Sequence, residues 1–185
     1  PRLDPPRAVG LVQVRADFGD RLADADAHRK GQTSLLGDPA LGVGLDAAGE
    51  ATDALGGGAL GQFVGGAVEI HFHNRDLSED KQPAPPQYKH IENQAALSGT
   101  ITRFEPPHVL AHTWGDNEGE VTFSLSAQGD QVHLRLTHRR LPADENTRIS
   151  VASGWHTHLG ILVEDLNGQP RSPFWPTHTQ WEAHY

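Results

Sequence analysis

From Ala67 onward, apolar and polar residues alternate with a period of two, and this alternation recurs before giving way to a longer period. Val68, Ile70 and Phe72 fall on one side of a strand running from Ala67 to His73, with Glu69, His71 and His73 on the other. Leu97 to Phe104 is extended again, Glu105-Pro106-Pro107 stops it, and Val109 to Trp114 begins another strand. Glu120 to Ser126 aligns Val121, Phe123 and Leu125, the chain turns at Gln128-Gly129-Asp130, and Gln131 to His138 aligns Val132, Leu134 and Leu136. Four or more strands joined by short turns predict an antiparallel meander. Asp76 to Gln94 is polar and holds Pro83, Pro85 and Pro86, which predicts an exposed excursion.

After Leu141-Pro142 the apolar period lengthens to about 3.6. Trp155, Leu159, Leu162 and Leu166 recur at helical spacing, Ala152 lies one step upstream, and Asn167-Gly168 supplies a stop. A half-wet sheet must bury its apolar face, and this amphipathic helix is the strongest element available to cover it. The predicted class is therefore α+β, with an antiparallel sheet wrapped around a long C-terminal helix. Beyond it, Trp181 and Tyr185 stand one helical turn apart in an aromatic tail suited to docking on the domain or on a partner.

Composition divides the chain. Residues 1–62 contain one His and one aromatic, while Gly, Ala and Asp fill 30 of those positions; the other 11 of the 12 His and all 4 Trp follow. Within that first stretch Leu11, Val12 and Val14 can start a strand, and Asp38-Pro39 resembles a helix start, but Gly56-Gly57-Gly58 opposes regular structure. The expected organisation is an atypical segment over 1–62 (divergent, disordered or frame-shifted), a domain over 63–170, and an aromatic tail over 171–185.

At 185 residues the chain has room for one ordinary domain. A formal charge of −9, with 15 dispersed basic residues, argues against a nucleic-acid surface, because phosphate contacts dominate such affinity. No apolar run has the length of a membrane span, so no membrane partner is expected. The absence of Cys excludes disulfides, thiolate zinc sites and a Cys nucleophile, and with no secretory signal visible it points to the cytoplasm. Nucleophile-elbow, zinc-protease and phosphate-loop motifs are all missing, so no catalytic residue is assigned and no cofactor is expected.

Several spaced segments carry a family resemblance. Val64-Gly65-Gly66-Ala67-Val68-Glu69-Ile70, Gly99 to Trp114, Val121-Thr122-Phe123, Leu134 to Arg139 and Gly154-Trp155-His156-Thr157-His158-Leu159 together resemble the START-like, or SRPBCC, helix-grip superfamily. They are most similar to bacterial proteins named after the activator of heat-shock-protein-90 ATPase, and the match covers about residues 64–170. The resemblance implies six or seven antiparallel strands around the last helix, with a deep apolar cavity between. It implies less about chemistry, because the superfamily includes lipid carriers, receptors and cyclases.

Within such a cavity Trp155, Leu159, Leu162, Phe123 and Trp114 are the expected ligand-binding wall, and each is equally suited to core packing. His158 lies at the margin of the Trp155 face, where it can offer a hydrogen bond, and His112 is the other candidate polar group. His71 and His73 project from one strand face and can in principle share a metal, but Glu69 beside them suits a wet sheet face, and no metal is expected. His156 and His158 are about 200° apart around a helix and cannot chelate one ion. The favoured role is non-covalent binding of a small hydrophobic molecule by a monomer or homodimer. The alternatives are a cyclase- or hydrolase-type enzyme using His112 or His158 as base, and a co-chaperone-like module with a protein partner.

Overall fold

A computed structural model describes residues 63–92, 95–115, 119–127 and 132–185 with their side chains. Five strands, β1 (Ala67–Phe72), β2 (Ala95–Glu105), β3 (Val109–Trp114), β4 (Gly119–Gln128) and β5 (Gln131–Arg139), form an antiparallel meander in which each pairs with its sequence neighbour. The helices α1 (Glu145–Leu166) and α2 (Phe174–His184) follow. Below residue 63 only strand backbone is described, including Gly58–Leu60 paired beside β1. The expectation of an atypical segment over 1–62 lies outside the described residues.

Alternation decides which face is buried. Val68, Leu110, Val121, Phe123, Leu134 and Leu136 join Leu159, Leu162 and Val163 of α1 in one cluster, with Ile70, Trp114, Trp155 and Leu166 against its edge. In β2 the inward residues Ile101 and Phe104 are three apart, a spacing that would put them on opposite faces of a regular strand. A register shift between Ile101 and Arg103 against β3 inserts the extra residue and restores the phase. At Gly99 the strands approach so closely that any Cβ would collide with the Thr113 carbonyl. Gly99→Ala is therefore expected to cost about 2–3 kcal/mol in chemical denaturation; an unchanged midpoint would show that β2 and β3 separate freely there.

The helix α1 begins at Asp144, whose carboxylate accepts the Thr147 N–H at 2.7 Å, and stops at Asn167 before Gly168 at φ 63°. It is not simply amphipathic. Ile161, on the side away from the sheet cluster, packs with Leu77, Phe174 and Trp175, and Ala84, Tyr88 and Ile91 flank them. Both sides of α1 are thus covered, one by the sheet and one by α2 with the connection after β1.

That connection is largely exposed, as expected, but a few of its residues pack inward. It folds into two short 3-10 segments, Asn74–Leu77 and Pro86–Ile91, and buries Asn74, Leu77, Ser78 and Glu92. Its apolar residues are too sparse to show a period, yet Leu77, Ala84, Tyr88 and Ile91 supply area to the second face of α1.

Candidate functional site

The space between sheet and helix is largely filled by the first cluster. The opening lies beside it, as a cavity of about 210 Å³ at the N-terminal half of α1. Phe72, Ala95 and Trp114 wall it from the sheet, and Ser150, Val151, Gly154, Trp155 and His158 from α1. Asn74, Tyr88 and Ile91 close it from the connection after β1, and Phe174, Trp175 and His178 from α2. Among the described residues no Asp, Glu, Lys or Arg lines it.

Of the residues anticipated from sequence, Trp114, Trp155 and His158 line this cavity. Phe123, Leu159 and Leu162 belong instead to the packed core. His112 is buried against Trp114 and Phe123, at centroid distances of 6.1 and 6.3 Å, and does not reach the cavity. Its Nδ1 lies 2.8 Å from the Thr113 carbonyl and donates to it, which partly opposes the lowering of its pKa by burial.

His138 is the supporting residue that sequence reasoning passed over. Its signal was present, since it continues the row of Val132, Leu134 and Leu136 along β5. Fully buried, it accepts the Trp155 indole N–H on Nδ1 at 3.1 Å and thereby holds the ring that walls the cavity. Burial pushes its pKa down to about 4, with His112 nearby adding to the effect. Trp114 packs on both partners, 5.1 Å from His138 and 5.2 Å from Trp155.

His158 stands between Phe72 and Phe174, 6.1 and 4.8 Å from their ring centres. Desolvation first, and the neighbouring His178 second, push its pKa down to about 3, so the imidazole is neutral throughout the physiological range. Among the described residues its Nδ1 is buried with no hydrogen-bond partner, as are the Asn74 amide oxygen and the Trp175 indole nitrogen. All three residues line the cavity.

A polar cluster joins the connection to both helices. The Tyr88 hydroxyl donates to the Glu182 carboxylate and lies 2.9 Å from the Ser150 hydroxyl, while His178 Nε2 donates to the Ser150 carbonyl at 3.2 Å. His178 Nδ1 is 3.5 Å from Glu182, an electrostatic contact too long for a good hydrogen bond. Burial dominates at His178 and lowers its pKa, against the pull of Glu182.

The tail docks on its own domain. Trp181 stacks on His156 with ring centres 3.3 Å apart, and Tyr185 lies 3.2 Å from the same imidazole. His71 pairs with Glu69 at 2.8 Å on the wet sheet face. Among the described residues no three His, Asp or Glu side chains gather in a metal-binding group, and no helix is long and apolar enough to cross a membrane.

Comparisons agree with this architecture. The family described as Activator of Hsp90 ATPase homolog 1-like protein matches residues 70–167. The solution NMR structure of a Bordetella parapertussis protein is 42% identical, superposes with a TM-score of 0.58, and aligns over 71% of this chain and 69% of its own. Comparison with curated proteins yields no match.

Proposed function

The chain belongs to the Activator of Hsp90 ATPase homolog 1-like protein family, and from that premise we propose that it binds a small hydrophobic molecule non-covalently in the cavity beside α1. The observation that carries this reading is Gly154. It sits inside α1 on the cavity wall, and a Cβ placed there would meet no atom within 4 Å. Glycine in a helix interior costs about 1 kcal/mol relative to alanine. Nothing in the surrounding packing demands it, and its consequence is open apolar space between Trp155 and the second layer. Burial of ligand surface there contributes roughly 25 cal/mol per Å².

A catalytic reading has weaker support. A general base works best with a pKa near the working pH, whereas burial leaves His158 with little proton affinity, and His112 lies off the cavity. A protein-interaction reading rests on the family's name alone. The tail aromatics are engaged within the domain, and among the described residues only Phe63 and Val64 are large apolar side chains left exposed.

Gly154→Leu is the direct test, because it fills the cavity and improves helix propensity at once. Naphthalene, followed by NMR shifts of cavity residues, is expected to bind the natural chain and not this variant. The variant's melting temperature should be equal or higher. Equal binding by both chains, or no cavity shifts in the natural chain, would overturn the reading.

A further inference from the structure

We propose that α2 is an acid-released wall of the cavity: mild acidification detaches it from α1 before the sheet unfolds, and the ligand leaves with it. This rests on the binding reading above and adds the regulation of that site. The device is a set of imidazoles along the seam between the two helices. His156 packs on Trp181 with Tyr185 beside it, and the exposed His184 lies on those same two rings, at centre distances of 5.5 and 5.8 Å. Phe174 is flanked by His158 of α1 at 4.8 Å and by His178 of its own helix at 5.7 Å. Across the seam each α1 imidazole is thus matched with one from α2 through a shared ring.

A proton on either α1 imidazole would be a charge buried among apolar rings and facing a second imidazole. Burial first, then His184, brings His156 down to about 4; burial first, then His178, brings His158 down to about 3. Among the described residues the titratable groups facing them are those two histidines and the Tyr185 hydroxyl, so neither has a carboxylate to balance a proton. His178 does have one, because Glu182 lies 3.5 Å from its Nδ1 and pulls against burial. The switch therefore works through His156 and His158.

Once detached, α2 has little reason to stay helical. Its 11 residues include Thr177, Thr179, two His and two Trp, all modest helix formers, and isolated helices of that length are marginal in water. Docking holds it, through Phe174 and Trp175 in the second cluster and through the Tyr88 bond to Glu182. The linker before it is fixed separately, since Glu164 accepts both the N–H and the hydroxyl of Ser172 at 2.7 Å, which puts the hinge after Ser172. Phe174, Trp175 and His178 wall the cavity, so release of α2 removes that wall.

In the detached state both α1 imidazoles return to about 6.5 and bind protons that docking excludes. Docking is therefore complete above pH 6.5 and weakens as pH falls, by roughly 23-fold per histidine between pH 7 and pH 5, or about 500-fold for the two.

The experiment follows amide hydrogen exchange of the full chain at pH 7, 6 and 5, with each rate referred to its intrinsic rate so that it gives an opening constant. The α2 amides are expected to open about 500-fold more readily at pH 5 than at pH 7, with a slope approaching two protons, and more readily than β3 and β4 amides at every pH. His156→Phe keeps a ring on Trp181 and removes one titration, so it should cut the slope to about one. The natural chain decides the question even if that variant fails to fold. At pH 6, naphthalene at about ten times its dissociation constant should suppress α2 opening about tenfold, because it binds the docked state. Opening of α2 that ignores pH, matches that of the sheet, or keeps its slope in His156→Phe would overturn the inference. Naphthalene that binds and leaves α2 opening unchanged would overturn the coupling to the ligand while the binding reading stands. If naphthalene does not bind at pH 7, the binding reading and the coupling both fail, and exchange alone still decides whether acid releases α2.

Discussion

Acidification from pH 7 to pH 5 is expected to remove about 6 kcal/mol of folding stability, comparable with the whole stability of many domains. The cause is a set of histidines buried in neutral form. Burial pushes His138 and His156 down to about 4 and His158 to about 3, with His112, His184 and His178 as their respective secondary influences. In the unfolded chain each would titrate near 6.5. Between that value and the folded pKa the unfolded state holds the extra protons, so stability is complete above pH 6.5 and is lost as pH falls. Each group contributes about 2 kcal/mol of loss by pH 5. Urea unfolding followed by circular dichroism at pH 7, 6, 5.5 and 5 should show the midpoint dropping steeply, with a slope corresponding to about three protons. His158→Leu should reduce that slope by one. A midpoint constant across this range would mean that these rings are solvated or charged in the folded protein.

Trp155→Ala carries the second largest expected effect, a loss of about 4 kcal/mol. The indole fills the junction of sheet and helix, 5.2 Å from Trp114 and 5.9 Å from Phe123, and its N–H is the donor to His138. Truncation opens a void and also strips His138 of this partner, and among the described residues His138 Nε2 already has none. Trp155→Phe separates the two contributions. It keeps much of the ring volume and removes only the donor, so it should cost about 1–2 kcal/mol. Thermal or urea denaturation at pH 7 distinguishes the variants. Equal losses would mean that the hydrogen bond, and not the packing, dominates at this position.

How much of the fold could be read from the chain varies by element. The strands holding Val68, Leu110, Phe123 and Leu134 were legible because a half-buried sheet imposes a period of two on neighbours in sequence. The core-facing place of His138 was equally legible from its phase with Leu136, but its polarity hides it from any reading that follows apolar residues. The exposure of the connection after β1 was legible, but the packing of its few apolar residues was not. Leu77, Tyr88 and Ile91 have no shared period, and what buries them is an α2 that begins nearly a hundred residues later.

The candidate site divides in the same way. Trp155 and His158 could be placed on the helix, and Trp114 on the sheet, from spacing alone. Asn74, Gly154, Trp175 and His178 could not be gathered around one cavity, since no local pattern links them. Likewise, nothing in the spacing separates Leu159 and Leu162, which fill the core, from Trp155, which borders the opening.

The chain's own pattern determined the antiparallel meander, the long helix and the faces they bury, because those follow from backbone periods acting over a few residues. Tertiary structure alone decided that α1 is covered on both sides and that the vacant space lies beside the packed core. Those outcomes depend on volumes contributed by distant segments. A cavity is what remains after their side chains have packed, and no stretch of sequence encodes that remainder by itself.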